Sequence, residues 1–131
     1  KPALSYLAMN ADQAGEQILS GIYDLEAGRY RWMSERAVLL LKRPGARCRV
    51  EVELYIPPQS PARQVTVFVD DRLVAGRTFP APGAYTLTSE PLTVPSESPA
   101  LAISVDQTFS APGDQRRLGI ILTGAGFKPV D

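Results

Sequence analysis

Apolar and polar residues alternate most strictly between Cys48 and Ile56. Cys48, Val50, Val52, Leu54 and Ile56 fall on one side, and Arg49, Glu51, Glu53 and Tyr55 on the other. A period of two predicts a half-buried antiparallel strand. Val65, Val67 and Val69 alternate with Thr66 and Phe68, and Leu101, Ile103 and Val105 with Ala102 and Ser104, which predicts two more. Residues 36–42 and 118–122 are more continuously apolar and read as central strands covered on both faces. Shorter strands are predicted at 29–33, 72–79, 84–88 and 91–94. Asp70-Asp71 between Val69 and Arg72 marks a hairpin, because aspartate tolerates the positive φ of tight turns. The expected core is Val50, Val52, Leu54, Val65, Val67, Val69, Leu101, Ile103, Val105, Leu118, Ile120 and Leu122.

The start of the chain has a different texture. Leu4, Leu7, Ala8, Ala11, Ala14 and Ile18 recur at helical spacing, with Asn10 placed to cap a short helix and Ser20-Gly21 to stop it. Residues 1–20 are therefore expected to form a helical segment or linker, and residues 21–131 the domain proper. Turn residues cluster between the apolar runs, as at Arg43-Pro44-Gly45, Pro57-Pro58, Pro80-Ala81-Pro82-Gly83 and Ala111-Pro112-Gly113-Asp114. About eight short strands with such connections predict an all-β, antiparallel two-sheet sandwich of jelly-roll type, since two amphipathic sheets need each other's apolar faces. Phe127-Lys128-Pro129-Val130-Asp131 reads as a polar tail after the last strand. The chain opens on Lys1-Pro2 rather than Met, so it is expected to be a piece of something longer.

Length and composition narrow the function. The 131 residues suit one domain. Fourteen basic and fourteen acidic residues cancel, which leaves no field to gather phosphate backbones and argues against a nucleic-acid partner. The longest apolar run, 37–41, is far short of a membrane span. Histidine is absent and Cys48 is the one cysteine, which removes imidazole catalysis, internal disulfides and Cys/His metal patterns. No serine-nucleophile motif or phosphate-binding glycine loop is present.

The remaining candidate chemistry is sparse. Asp70-Asp71 serves turn geometry, and Glu51 and Glu53 lie near Arg47 and Arg49 as partners for surface ion pairs. A structural cation would need Asp106, Asp114 and loop carbonyls to converge, without the dense spacing of a calcium loop. Cys48 alternates inward with valines and reads as a small buried hydrophobe. Tyr23, Arg29, Tyr30, Arg31 and Trp32 are the one concentrated aromatic and basic group. It suits either core packing or a glycan platform, in which rings stack on sugars while charged groups bind hydroxyls. In the loop after Phe109, Asp114 is expected to organise its turn together with Arg117, or else to contact a ligand.

Gly21-Ile22-Tyr23-Asp24-Leu25-Glu26, Gly28-Arg29-Tyr30-Arg31-Trp32, the run 37–41 and Asp114-Gln115-Arg116-Arg117-Leu118-Gly119 together carry a resemblance. The set, over residues 21–124, resembles an extracytoplasmic, galactose-binding-like β-sandwich accessory domain associated with bacterial membrane glycosyltransferases of the dolichyl-phosphate-mannose type. The resemblance singles out Tyr23, Glu26, Arg29, Trp32, Asp114, Arg117 and Gly119. It implies a non-catalytic accessory module, periplasmic or at the cell surface, tethered to a parent membrane protein; no cofactor and no metal are expected. The resemblance does not itself make these residues ligand contacts; a glycan or glycolipid is the expected ligand, with Tyr23, Arg29, Trp32, Asp114 and Arg117 as its expected contacts. The alternative is a purely structural protein–protein interaction domain.

Overall fold

The computed structural model describes residues 1–130. These form β1 (Tyr6–Ala8), β2 (Ile18–Ile22), β3 (Arg31–Leu40), β4 (Cys48–Ile56), β5 (Gln64–Val69), β6 (Arg72–Thr78), β7 (Gly83–Thr88), β8 (Ala100–Val105) and β9 (Ile121–Pro129), with one 3-10 turn at Ala14–Gln17. Every pairing between these strands is antiparallel. In the first sheet β1 and the start of β3 share one edge of β9, β4 takes its other edge, and β7 follows β4. The second sheet runs β2-β3-β8-β5-β6. β3 joins the two: Arg31 and Trp32 pair with Leu122 and Ile121, and then residues 36–40 pair with β8. The architecture is nearly all β and consistent with the two-sheet jelly roll read from the alternation.

Each expected core residue is buried, and the inner faces of the two sheets meet through them. Cys48 lies among them with its thiol pushed up by burial, as an inert hydrophobe would. The Asp70-Asp71 hairpin has both residues at positive φ (47° and 67°), the geometry that matches strand twist. Asp70 adds a hydrogen bond from the Ala100 amide at 3.0 Å, which ties the hairpin to the start of β8.

Several elements differ from expectation, each for a local reason. The N-terminal helix is absent: Leu7 and Met9 point into the core from the β1 segment, and only the four-residue 3-10 turn follows. Gln13 adopts a left-handed conformation (φ 61°), and so short a stretch cannot repay helix nucleation. Gln17 is buried instead, its amide donating to the Leu4 and Leu40 carbonyls at 2.9 and 3.0 Å. Asn10 caps nothing and donates to the Gly28 carbonyl. The strands expected at 29–33 and 36–42 are one strand, β3, which changes sheets across the polar step Ser34-Glu35-Arg36.

At the other end, β9 extends through Phe127, Lys128 and Pro129, which had read as tail; Asp131 lies outside the described residues. Gly124 permits the pairing with β1, since a Cβ there would collide with the Tyr6 hydroxyl. Residues 118–120 precede the strand. Leu118 bridges Phe109, and Gly119 runs so close to β3 that a Cβ would sit 2.6 Å from the Ser34 carbonyl oxygen. Residues 91–94 make a single bridge, Leu92 to Cys48, rather than a strand.

Candidate functional site

Two connections meet at one end of the sandwich: residues 23–30 between β2 and β3, and residues 106–120 between β8 and β9. In the first, the Arg29 and Tyr30 amides donate to the Glu26 carbonyl at 3.0 and 3.2 Å, and the Glu26 amide to the Tyr30 carbonyl at 2.8 Å. In the second, Asp114 closes a turn through its amide to the Ala111 carbonyl (3.0 Å) and accepts the Arg116 amide on Oδ1 (2.9 Å).

Arg116 locks the two together. Its Nη2 donates to Asp114 Oδ2 at 2.7 Å, Nε to Oδ1 at 3.0 Å, and Nη1 to Glu26 Oε2 at 3.0 Å. The guanidinium carbon stands 5.2 Å from the Tyr23 ring centroid, and the Tyr23 hydroxyl donates to the Arg117 carbonyl at 2.9 Å. The Arg116 side chain, followed by its amide, holds the Asp114 carboxyl down at about 2. The two carboxylates raise Arg116 in turn.

The expected site residues therefore divide. Tyr23 and Asp114 come together with Glu26, but through Arg116, and Asp114 is organised by Arg116 and not by Arg117. Arg117 points outward, 68% exposed, with Glu35 at 3.5 Å and Thr108 at 3.3 Å. Arg alternation explains the swap: consecutive residues leave an extended loop on opposite sides, and only Arg116 faces Asp114 two residues back. Arg29 gives its amide to the turn and exposes its side chain. Arg31 binds the Met9 and Tyr23 carbonyls at 3.0 and 3.2 Å, so it ties the chain's start to this end. Gly119, which the resemblance also singles out, is required by close packing against β3.

The cation idea meets a similar obstacle. Asp106 spends Oδ1 on the Arg63 and Gln64 amides (3.0 and 3.1 Å); burial pushes its carboxyl up, but these hydrogen bonds outweigh it and hold it below its ordinary value. Asp114 is committed to Arg116, and no cluster of three metal-ligating side chains exists among the described residues.

Trp32 leads onto a different surface. Side chains directly opposite in an antiparallel pair share a face. Trp32 opposes Ile121, Ile121 opposes Tyr55, and Tyr55 opposes Ala84, so these four form one row across β3, β9, β4 and β7. Their neighbours Met33, Leu122, Leu54 and Ile56 are buried, which puts the row on the outer face of the first sheet. Phe109 braces Trp32 edge-on at 5.8 Å, and Tyr55 is 39% exposed. Beside Tyr55 lies a depression of about 200 Å³ lined by Glu53, Leu54, Ala84, Tyr85, Thr86 and Thr123. A bulge between Glu53 and Leu54 leaves Thr123 unpaired in the ladder, and this re-aims the face there.

Glu53 does not take the arginine partner expected of it. Arg49 donates to the Ser89 carbonyl at 3.1 Å, and Glu53 faces Gly124 and Thr86 across the ladders, with no cation opposite. It accepts instead from the Tyr6 hydroxyl, and Lys128 Nζ sits 3.9 Å over the Tyr6 ring. Burial, then the bond to Glu53 and that carboxylate's charge, push the Tyr6 phenol well up. Tyr55 was legible as an outward position of the β4 alternation; Tyr6 was hidden by the helical reading. A wider groove of about 430 Å³ lies between the β5–β6 hairpin and residues 90–93, and no aromatic ring lines it.

No family profile matches the sequence, and no curated protein does. Among solved structures, the fold is similar to that of a family 35 carbohydrate binding module from an environmental isolate, with 14% identity, 86% of this chain and 87% of that chain covered, and a TM-score of 0.56.

Proposed function

We propose that the chain is a non-catalytic module that binds carbohydrate on the outer face of its first sheet. The observation that carries this reading is the row Trp32-Ile121-Tyr55, in which two aromatic side chains flank an aliphatic one, with Ala84, the next residue of the row, lining a polar depression. Two strand spacings separate the rings, roughly 10 Å, so a chain of sugar units could lie across the strands and stack on both. The similarity in fold to a carbohydrate binding module supports the ligand class.

The loop-end group has a different part in this reading. The Asp114 and Glu26 carboxylates are engaged by Arg116, so they offer a sugar little; Tyr23, whose amide donates to the Trp32 carbonyl at 2.9 Å and whose hydroxyl donates to the Arg117 carbonyl, joins this group to the start of β3. Binding rather than catalysis is favoured by a chain without histidine, with its thiol buried. Placement outside the cytoplasm, within a larger bacterial envelope protein beside a membrane-spanning glycosyltransferase, rests on the sequence resemblance and belongs to the same proposal.

The interaction-domain alternative would want a contiguous apolar patch. Leu19 and Leu73 are the most exposed large hydrophobics, at 57% and 61%, but they lie on β2 and β6, the opposite edges of the second sheet. Between them Phe68 is covered by the Arg36 guanidinium at 5.4 Å. Isothermal titration with cellohexaose, xylohexaose and mannohexaose tests the proposal. One of them binds, and Trp32→Ala and Tyr55→Ala each weaken it at least about tenfold, the effect of losing an aromatic anchor. Full binding by both variants would refute the assigned face.

A further inference from the structure

The polar half of the same face points to the charge of the ligand. Glu53 reaches the depression beside Tyr55 with one carboxylate oxygen, Oε2, bonded to the Tyr6 hydroxyl, while Oε1 takes no hydrogen bond from the described residues. Tyr6 cannot swing away freely, since its ring lies over Gly124 and beneath the Lys128 ammonium. The carboxylate is thus held in one orientation by a phenol that is itself packed.

The other groups around the depression are uncharged: Ala84, Thr86 and Thr123, with the Thr123 hydroxyl donating to the Glu53 carbonyl at 3.3 Å. Glu51 is two residues along on the same face, opposite Gly126 and Thr88. Two basic side chains share this face, Arg49 donating to the Ser89 carbonyl and Lys128 lying over the Tyr6 ring, and neither forms an ion pair with Glu53 among the described residues. An oriented carboxylate with a free oxygen accepts hydrogen bonds strongly from hydroxyls and repels other carboxylates.

We propose that this site selects uncharged sugar chains and excludes uronates, with Glu53 as the acceptor for a sugar hydroxyl and Tyr6 as the residue that positions Glu53. The proposal rests on the carbohydrate-binding reading, and its test separates the two. The whole chain is titrated with cellohexaose, xylohexaose and mannohexaose, and with hexagalacturonate as the acidic probe. Glu53→Gln, Tyr6→Phe and the double variant are compared with wild type, and thermal unfolding confirms that each is folded.

The expected result is binding of an uncharged hexaose with none of hexagalacturonate. Glu53→Gln should weaken binding at least about tenfold, as loss of a charge-assisted hydrogen bond does. Tyr6→Phe should weaken it several-fold alone and not at all in the Glu53→Gln background, because Tyr6 acts through Glu53; a merely structural role would add in both. Hexagalacturonate bound as well as the uncharged chains, or Glu53→Gln binding like wild type while Tyr55→Ala does not, overturns this inference and leaves the carbohydrate reading standing. Additive losses from Tyr6→Phe overturn its positioning role. Failure of every oligosaccharide to bind overturns both.

Discussion

Three donors of Arg116 reach Asp114, Nη2 at 2.7 Å, the amide at 2.9 Å and Nε at 3.0 and 3.1 Å to the two oxygens, and Arg116 then reaches Glu26 across the loop. Because the folded-state carboxyl sits at about 2, below its ordinary value near 4, the interaction stabilises the fold above about pH 4 and is lost as pH falls through about 2. Asp114→Asn is accordingly expected to unfold at a lower temperature than wild type at pH 7. The difference should shrink as pH is lowered from about 4 towards 2, as thermal melts across that window would show; a constant difference would contradict the pairing. Gly119 makes a second prediction at this scale. A Cβ would press 2.6 Å from the Ser34 carbonyl and 2.9 Å from Val105 Cγ2, so Gly119→Ala should cost about 1–3 kcal/mol in denaturant unfolding. Gly45→Ala, which meets no atom within 4 Å, is the control.

Among the elements, β4 and β5 were legible because each has one dry and one wetter face, and β8 because Leu101, Ile103 and Val105 alternate with small residues; an alternation of five to nine residues leaves little room for another register. Val67 is fully buried at the centre of β5, where a carboxylate would find no partner. Val67→Asp is expected to abolish the folded state, since the cost of several kcal/mol approaches the ~5–15 kcal/mol that hold a domain together. Circular dichroism checks this, and a native-like melt would refute the register. β1 was not legible. Three residues are too few to show a period of two, and its pairing depends on Gly124 and Gly126, more than a hundred positions later. β3 looked like two strands because the residues where it leaves one sheet for the other are polar on purely local grounds.

For the molecule as a whole, the sequence carried the layers but not the surfaces. That two sheets must pack face to face follows from amphipathic strands; which outward residues line up across four strands follows from register, which no local pattern contains. Trp32 and Tyr55 are 23 positions apart in the chain and become neighbours across β9 only through Ile121. Similarly, Glu26 and Arg116 are separated by 90 residues and meet only where two connections converge. The loop end thus emerges as a rigid flank held by its own charges, and the sheet beside it as the open face.

The most direct test of that division is a backbone and indole amide NMR titration with the hexaoses. Shifts are expected to concentrate at the Trp32 indole, Ile121, Tyr55, Thr86 and Thr123. Shifts confined to the Glu26–Arg116–Asp114 lock, or spread over the outer face of the second sheet, would contradict it.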